Sequence, residues 1–156
     1  MNIRRRKILK GTLAAGAVSL AASAGILTPQ TVLAAWPKSA FSAKSVNDAV
    51  NSLLGSSSLT GSSDINIKTP AIAENGAVVN VSVDTNLKNV SSISILVEKN
   101  DSPLAANFNL APGTIPFIKT RVKVRKTSSI IAVVKSGGTL YSAGKEVKVT
   151  IGGCGG

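Results

Sequence analysis

The order of apolar and polar positions predicts a short helix followed by a series of strands. Near residue 46 the apolar residues recur three and four positions apart: Val46, Ala49, Val50, Leu53 and Leu54. This spacing places them on one face of a helix. Ser45 and Asp48 have the spacing of a capping box, and Gly55 stands where such a helix would end. We therefore predict one amphipathic helix over residues 44–54.

Beyond a serine-rich connector at residues 56–63, the apolar spacing changes to two, which is typical of strands with one buried face. The strands are predicted at Ile65 and Ile67; at Ala77, Val79, Val81 and Val83; at Ile93, Ile95 and Val97; at Phe108 and Leu110; and at residues 117–126, 129–134, 139–141 and 146–151. Turn-forming residues separate them, as in Ser136-Gly137-Gly138. The pattern predicts an all-β protein with one short N-terminal helix, specifically an immunoglobulin-like antiparallel β-sandwich, and leaves its strand order open.

The first 34 residues have the layout of an export signal. A basic segment at residues 4–10 precedes an apolar, alanine- and glycine-rich run at residues 11–27, and small residues follow. This order predicts a cleaved signal peptide, with the cut after Ala34 or Ala35. Adjacent arginines in the basic segment indicate the twin-arginine route. We therefore expect the mature protein in the bacterial periplasm.

A membrane anchor is the alternative interpretation of the same segment. The apolar run has 17 residues, mostly Ala, Gly, Ser and Leu. A spanning helix needs about 20 strongly apolar residues, so we expect no anchor after cleavage.

Cleavage after Ala34 would leave 122 residues, which is enough for one domain. We assign residues 35–151 to that domain and residues 152–156 to a separate tail. Since the signal carries five basic and no acidic residues, its loss lowers the formal net charge from +11 to +6. Such a charge favours small anions or acidic protein partners. Nucleic acid is a poor fit, because aromatic residues are few and no nucleic-acid-binding motif is present.

The tail places a single thiol between glycines. The chain ends in Gly152, Gly153, Cys154, Gly155 and Gly156, and Cys154 is its one cysteine. Glycines restrain the backbone little and add no bulk, and three extended residues reach about 10 Å beyond Ile151. We predict that Cys154 is a functional, presented thiol and that the four glycines form its flexible arm, which is the geometry of a carrier. The alternative is a frayed chain end with an incidental cysteine.

The composition argues against catalysis by the chain itself. With no histidine, the chain has no histidine base and no histidine metal ligand. The seven carboxylates are scattered and form no acid–base pair in sequence. We therefore predict a protein that is not an enzyme and has neither a metal nor a cofactor.

One cluster of charge has two interpretations. Lys119, Arg121, Lys123 and Arg125 alternate with apolar residues, which predicts four cations on one face of a strand. Charged side chains on a strand commonly protect a sheet edge from aggregation. The same charges could instead form a docking surface that attracts a complementary partner.

These features together resemble the SoxY family, the substrate-carrier subunits of the periplasmic sulfur-oxidising (Sox) system. The resemblance lies in the twin-arginine signal, the helix ending near Gly55, residues 70–79, 120–124 and 140–143, and the C-terminal stretch 147–156. The terminal glycine–cysteine motif is its most specific part. It implies that Cys154 holds sulfur intermediates covalently, and that the domain forms a heterodimer with SoxZ, a second immunoglobulin-like subunit.

The resemblance also implies a reaction cycle in which visiting enzymes do the chemistry. The c-type cytochrome SoxXA would join thiosulfate to Cys154 as an S-thiosulfonate. The hydrolase SoxB would then release sulfate and leave a persulfide. Further oxidation to an S-sulfonate, by SoxCD where it is present, and a second hydrolysis would restore the thiol.

Two other classes of protein stay open on the residues alone. An adhesion-type immunoglobulin-like module would use Cys154 for an interchain disulfide. A ubiquitin-like sulfur carrier would load sulfur on the C-terminal carboxylate, which needs ATP that the periplasm lacks and gives Cys154 no role.

Overall fold

The structure is a computed structural model, and it describes residues 37–150. Two helices come first, α1 (Lys38–Ser42) and α2 (Val46–Leu54). The strands follow as β1 (Thr60–Gly61), β2 (Ile65–Lys68), β3 (Ile72–Ala73), β4 (Val79–Thr85), β5 (Val90–Val97), β6 (Leu104–Asn109), β7 (Phe117–Val122), β8 (Ser128–Ser136) and β9 (Thr139–Val149). Within residues 37–150, no helix is long and apolar enough to cross a membrane.

Helix α2 confirms the predicted amphipathic helix and its capping residues Ser45 and Gly55, although it begins at Val46 rather than at residue 44. The Ser45 side chain accepts a hydrogen bond from the Asp48 backbone N–H over 3.1 Å and donates one to the Asp48 carboxylate over 2.7 Å. At the other end Gly55 adopts a left-handed conformation, φ 79°, and its N–H bonds to Asn51. Left-handed backbone favours glycine, which explains why the helix ends there.

Helix α1 was not predicted, because its five residues are too few to show a helical period. Its Ala40 is fully buried with Ala49 and Val50 of α2. Together the helices cover one patch of sheet through Leu96, Leu104, Val133 and Leu140. Packing on that patch therefore stabilises a helix that local sequence alone does not indicate.

The strands form two sheets with the main core between them. One sheet has the order β1-β9-β8-β5-β6, with β3 also paired to β9, and the other has the order β2-β4-β7. Alternate residues of both sheets are buried in the core, among them Val81, Val83, Ile93, Ile95, Ile130 and Val147. This arrangement confirms the predicted immunoglobulin-like sandwich.

The last strand differs from its prediction. Residues 139–141 and 146–151 were expected to form two strands, but β9 runs unbroken from Thr139 to Val149. The four residues between the two predicted strands also pair with β8, for example Ala143 opposite Ala132 and Gly144 opposite Ile131. Pairing with β8 therefore keeps these residues in an extended conformation, although their sequence does not alternate between apolar and polar residues.

Two short pairings correct the expectation of a purely antiparallel sandwich. Both β1 and β3 pair with β9 in parallel, Thr60 opposite Tyr141 and Ile72 opposite Lys148. Since β1 lies in the serine-rich connector and each strand has only two residues, neither shows an alternating pattern. Their partner strand decides their conformation.

Three strand boundaries were also predicted too wide. Leu110, predicted in a strand with Phe108, lies just past the end of β6 at Asn109. Ala77 precedes β4, in a turn where its N–H bonds to the Asn75 side chain. Strand β7 ends at Val122 rather than at residue 126.

Candidate functional site: the base of the C-terminal arm

The predicted attachment site lies outside the described residues, as does the predicted signal peptide. This holds for Gly152, Gly153, Cys154, Gly155 and Gly156. The structure does describe the segment that leads to them, since β9 ends at Val149 and Thr150 follows.

Three hydrogen bonds hold the end of β9 on two sides. On one side, the Lys148 N–H donates to the Ala71 carbonyl over 2.9 Å, and the Thr150 N–H donates to the Ala73 carbonyl over 3.2 Å. On the other side, the Val149 N–H donates to Thr127 Oγ1 over 3.0 Å. We call residues 148–150, with these partners, the arm base. The chain is therefore anchored up to the last described residue before the tail.

A glycine contact supports the arm base from within. The Val124 N–H donates to the Gly76 carbonyl over 2.7 Å. A Cβ built on Gly76 would lie 2.3 Å from the Val124 carbonyl oxygen and 3.0 Å from Cγ1 of Val149. Since backbone atoms cannot retreat as a flexible side chain can, this position accepts only glycine. The sequence did not predict this contact of Gly76 with β9.

Exposed apolar side chains border the arm base. Within residues 37–150, the large apolar residues with more than half of their surface exposed are Ile72, Val78, Ile115 and Phe117. Ile72 and Val78 line a shallow depression together with Pro70 and Glu74. Because Ile72 pairs with Lys148, this depression lies beside the arm base. Ile115 and Phe117 lie toward the opposite end of β4, where Phe117 pairs with Asp84.

The predicted row of cations is present, with one change. Lys119 and Arg121 are exposed on β7, and Lys123 is exposed just beyond its end. Arg125 instead forms an ion pair with Asp101. The row continues past the end of β7 because the Asn100 side chain makes hydrogen bonds to the backbone that a neighbouring strand would otherwise make. Its amide donates to the Lys123 carbonyl over 2.7 Å and accepts from the Arg125 N–H over 3.1 Å.

Two positioning residues, Thr127 and Asn100, were not foreseen from the sequence. Each uses its side chain to satisfy backbone groups of a segment at least 22 residues away. Such partners have no signature in a single sequence, because Thr and Asn are equally ordinary residues of exposed turns.

The described residues offer no catalytic or metal-binding arrangement. No group of three His, Cys, Asp or Glu side chains in residues 37–150 is placed to hold a metal ion. What the structure does provide is an immunoglobulin-like sandwich whose last strand is anchored up to Thr150, four residues before Cys154 in the sequence. This combination is typical of a carrier-type protein.

The comparison with known families identifies which carriers these are. Residues 50–154 match the family model described as sulfur oxidation protein SoxY, and the match reaches Cys154. The chain belongs to the SoxY family.

Solved structures agree with this assignment. The sulfur carrier protein SoxY from Chlorobium limicola f thiosulfatophilum is 43% identical, with a TM-score of 0.60, and the match covers 67% of this chain and 94% of that protein. A superoxide reductase (neelaredoxin) from Ignicoccus hospitalis is 18% identical, with a TM-score of 0.49. That match covers 55% of this chain and 79% of the reductase. No curated protein matches the chain.

Family membership confirms two predictions, the sulfur-carrier role that the resemblance implies and the absence of enzymatic activity that the composition indicates. The chain is a sulfur carrier, and it is not an enzyme, since its family consists of sulfur-carrier proteins rather than catalysts. The roles of individual tail residues remain predictions.

Proposed function

We propose that this protein is a periplasmic carrier that holds thiosulfate-derived sulfur covalently on Cys154 and presents it to the enzymes of the Sox pathway. One observation supports this most directly. In the sequence, the anchored arm base is followed by Ile151 and then by Gly152, Gly153, Cys154, Gly155 and Gly156. A mobile thiol on a fixed base can enter a partner's active site while the folded domain stays outside.

The proposed chemistry requires only a thiol from this chain. In the loading step, SoxXA removes two electrons as Cys154 and thiosulfate form an S–S bond, with loss of the thiol proton. Water then cleaves the terminal sulfonate in SoxB, which releases sulfate and leaves a persulfide. SoxCD, where present, oxidises the persulfide to an S-sulfonate with six electrons and three waters, and a second hydrolysis restores the thiol. The sulfur adducts take the place of a cofactor.

Charge and location are consistent with this proposal. The adducts are anions, and removal of residues 1–34 would leave a formal net charge of +6. A positive carrier attracts such anions and acidic partners. We further propose export by the twin-arginine route and pairing with SoxZ. Exposed apolar residues such as Ile115, which is 80% exposed, are the kind of surface that a permanent partner covers.

Mass spectrometry of the C-terminal peptide tests the proposal. In protein isolated from the periplasm of cells fed thiosulfate, we expect Cys154 to carry added masses of S, SO3 or S2O3, and Cys154→Ser to carry none. Thiosulfate-dependent oxidation should also stop in the variant.

The competing classes give different results in the same experiment. A stoichiometric disulfide dimer on non-reducing gels would indicate an adhesion-type module. Sulfur that persists on the peptide after Cys154→Ser would indicate loading of the terminal carboxylate. Either result would overturn the proposal.

A further inference from the structure

We propose that Lys119, Arg121 and Lys123 form a docking surface for an acidic face of the enzymes that act on the arm. We call these three residues the cationic row. The inference rests on the proposed function, because such docking matters only if enzymes visit Cys154.

The cationic row has no counter-charge of its own. Among residues 37–150 the ion pairs are Lys68–Asp84 and Arg125–Asp101, and neither involves the row. Neighbouring positions on the same outer face of the three-stranded sheet are short and polar. Asn80 lies opposite Arg121, and Ser82 lies opposite Lys119. The cationic side chains are therefore surrounded by short polar side chains and can pair with carboxylates of another molecule.

The one carboxylate on that face, Asp84, is already engaged. Its Oδ1 lies 3.4 Å from Nζ of Lys68, and it accepts a hydrogen bond from the Asn66 side chain over 3.3 Å. It also lies opposite Phe117, at the start of β7 and away from Lys123. Its charge is thus neutralised locally rather than set against the cationic row.

The row leads to the arm base. Lys123 directly precedes Val124, which bonds to Gly76 beneath Val149. Since residues in a strand rise by about 3.3 Å, Lys119 lies about 13 Å farther along than Lys123. The three residues from Ile151 to Cys154 reach about 10 Å. Because an enzyme is much larger than either distance, a partner that contacts the row could also receive Cys154 in its active site.

The surroundings favour a protein over a membrane or a nucleic acid. Two shallow depressions share Asn80 in their linings. One also contains Lys119 and Arg121, and the other contains the exposed residues Ile72 and Val78. Apolar contacts beside charged ones are the composition of a protein–protein interface. Three cations in one line are a small footprint for a polyanion, which binds through many phosphate contacts.

Edge protection is the main competing explanation, because β7 lies at the edge of its sheet. Charges of either sign protect an edge, since both resist pairing with another strand. Only cations attract an acidic partner. Reversing the charges therefore separates the two roles.

The test uses the mature chain with SoxZ, loaded on Cys154 by exchange with tetrathionate, which leaves an S-thiosulfonate and releases thiosulfate. Sulfate release by SoxB is then measured against carrier concentration. For the triple variant K119E/R121E/K123E we expect KM to rise about tenfold at low salt with kcat unchanged, because steering acts on encounter. The control K38E/K44E/K88E changes the charge equally on exposed residues elsewhere and should keep the normal KM. The milder K119Q/K123Q should show an intermediate KM.

Other outcomes would overturn the proposal. These are equal KM values for the row and control variants, a KM of the unmodified carrier that does not depend on salt concentration, and aggregation of the neutral K119Q/K123Q together with a normal KM for the charge-reversed variant, which would assign the row to edge protection. Binding to phosphatidylglycerol vesicles that is lost in the row variant while KM stays normal would assign it to a membrane surface. Failure of the proposed function looks different, since the unmodified carrier would then neither load nor release sulfate.

Discussion

The backbone of Val124 bonds to the carbonyl of Gly76 over 2.7 Å, and this contact lies directly beneath the final residues of β9. It joins the segment that follows β7 to the loop in front of β4, two regions nearly fifty residues apart in sequence. The cationic row and the arm base are neighbours because of it. A backbone hydrogen bond therefore fixes the segment that carries Lys123 against Gly76, and Gly76 packs against the Val149 side chain.

Gly76→Ala tests how tightly this contact is packed. The new methyl group would lie 2.3 Å from a backbone oxygen, so the backbone must shift. Overpacking of this kind costs about 1–3 kcal/mol, and we expect the free energy of unfolding in urea to fall by that amount. Gly144→Ala is the matched control, because a Cβ there meets nothing within 4 Å. Equal stability of the two variants would show that the Gly76 contact is loose.

Thr127→Val tests the anchoring of the arm base. The substitution keeps the side-chain shape but removes the acceptor for the Val149 N–H. A buried N–H without a partner costs about 1–3 kcal/mol. We expect faster hydrogen exchange at Val149 and a lower free energy of unfolding. Thr139→Val is the control, since Thr139 is exposed and has no side-chain hydrogen bond within residues 37–150. Unchanged exchange at Val149 would mean that Thr127 does not hold the strand.

Asn100→Ala tests how the cationic row is extended past β7. It removes two hydrogen bonds to the backbone of Lys123 and Arg125, each worth about 1 kcal/mol. We expect a loss of stability measurable in urea, together with a raised KM in the SoxB assay as Lys123 loses its position. Asp101→Asn removes only the neighbouring exposed ion pair, and such pairs contribute about 0–1 kcal/mol. If Asp101→Asn had the larger effect on stability, the ion pair rather than the Asn100 amide would hold this segment.

Local signals predicted the elements that depend on neighbours in sequence. Ser45, Asp48 and Gly55 each interact within one or two helical turns, so the ends of α2 could be inferred from spacing alone. Strands β2 and β4 bury alternate residues on one face, and that pattern is visible in the chain. Alternation also located β5, but its other face is buried too, with Leu96 packed against the helices. The family could likewise be recognised from the residues that end in Cys154.

Elements that depend on distant partners could not be predicted in this way. Strands β1 and β3 exist because β9 pairs with them, and the middle of β9 is extended because β8 lies beside it. Helix α1 forms where a sheet surface and α2 bury Ala40. None of these contacts produces a periodic pattern of apolar residues in the segment that makes it.

The sequence by itself thus determined the sandwich class, the helix α2, the family, and the prediction of a thiol on a glycine arm. These follow from side-chain periodicity and from one short motif, both of which are local. Only the tertiary structure decided that Thr127, Gly76 and residues 71–73 contact the arm base. It also decided that the Asn100 side chain holds the backbone at Lys123, at the end of the cationic row nearest the arm base. Those relationships are contacts between segments far apart in the chain, and they arise only when the two sheets pack.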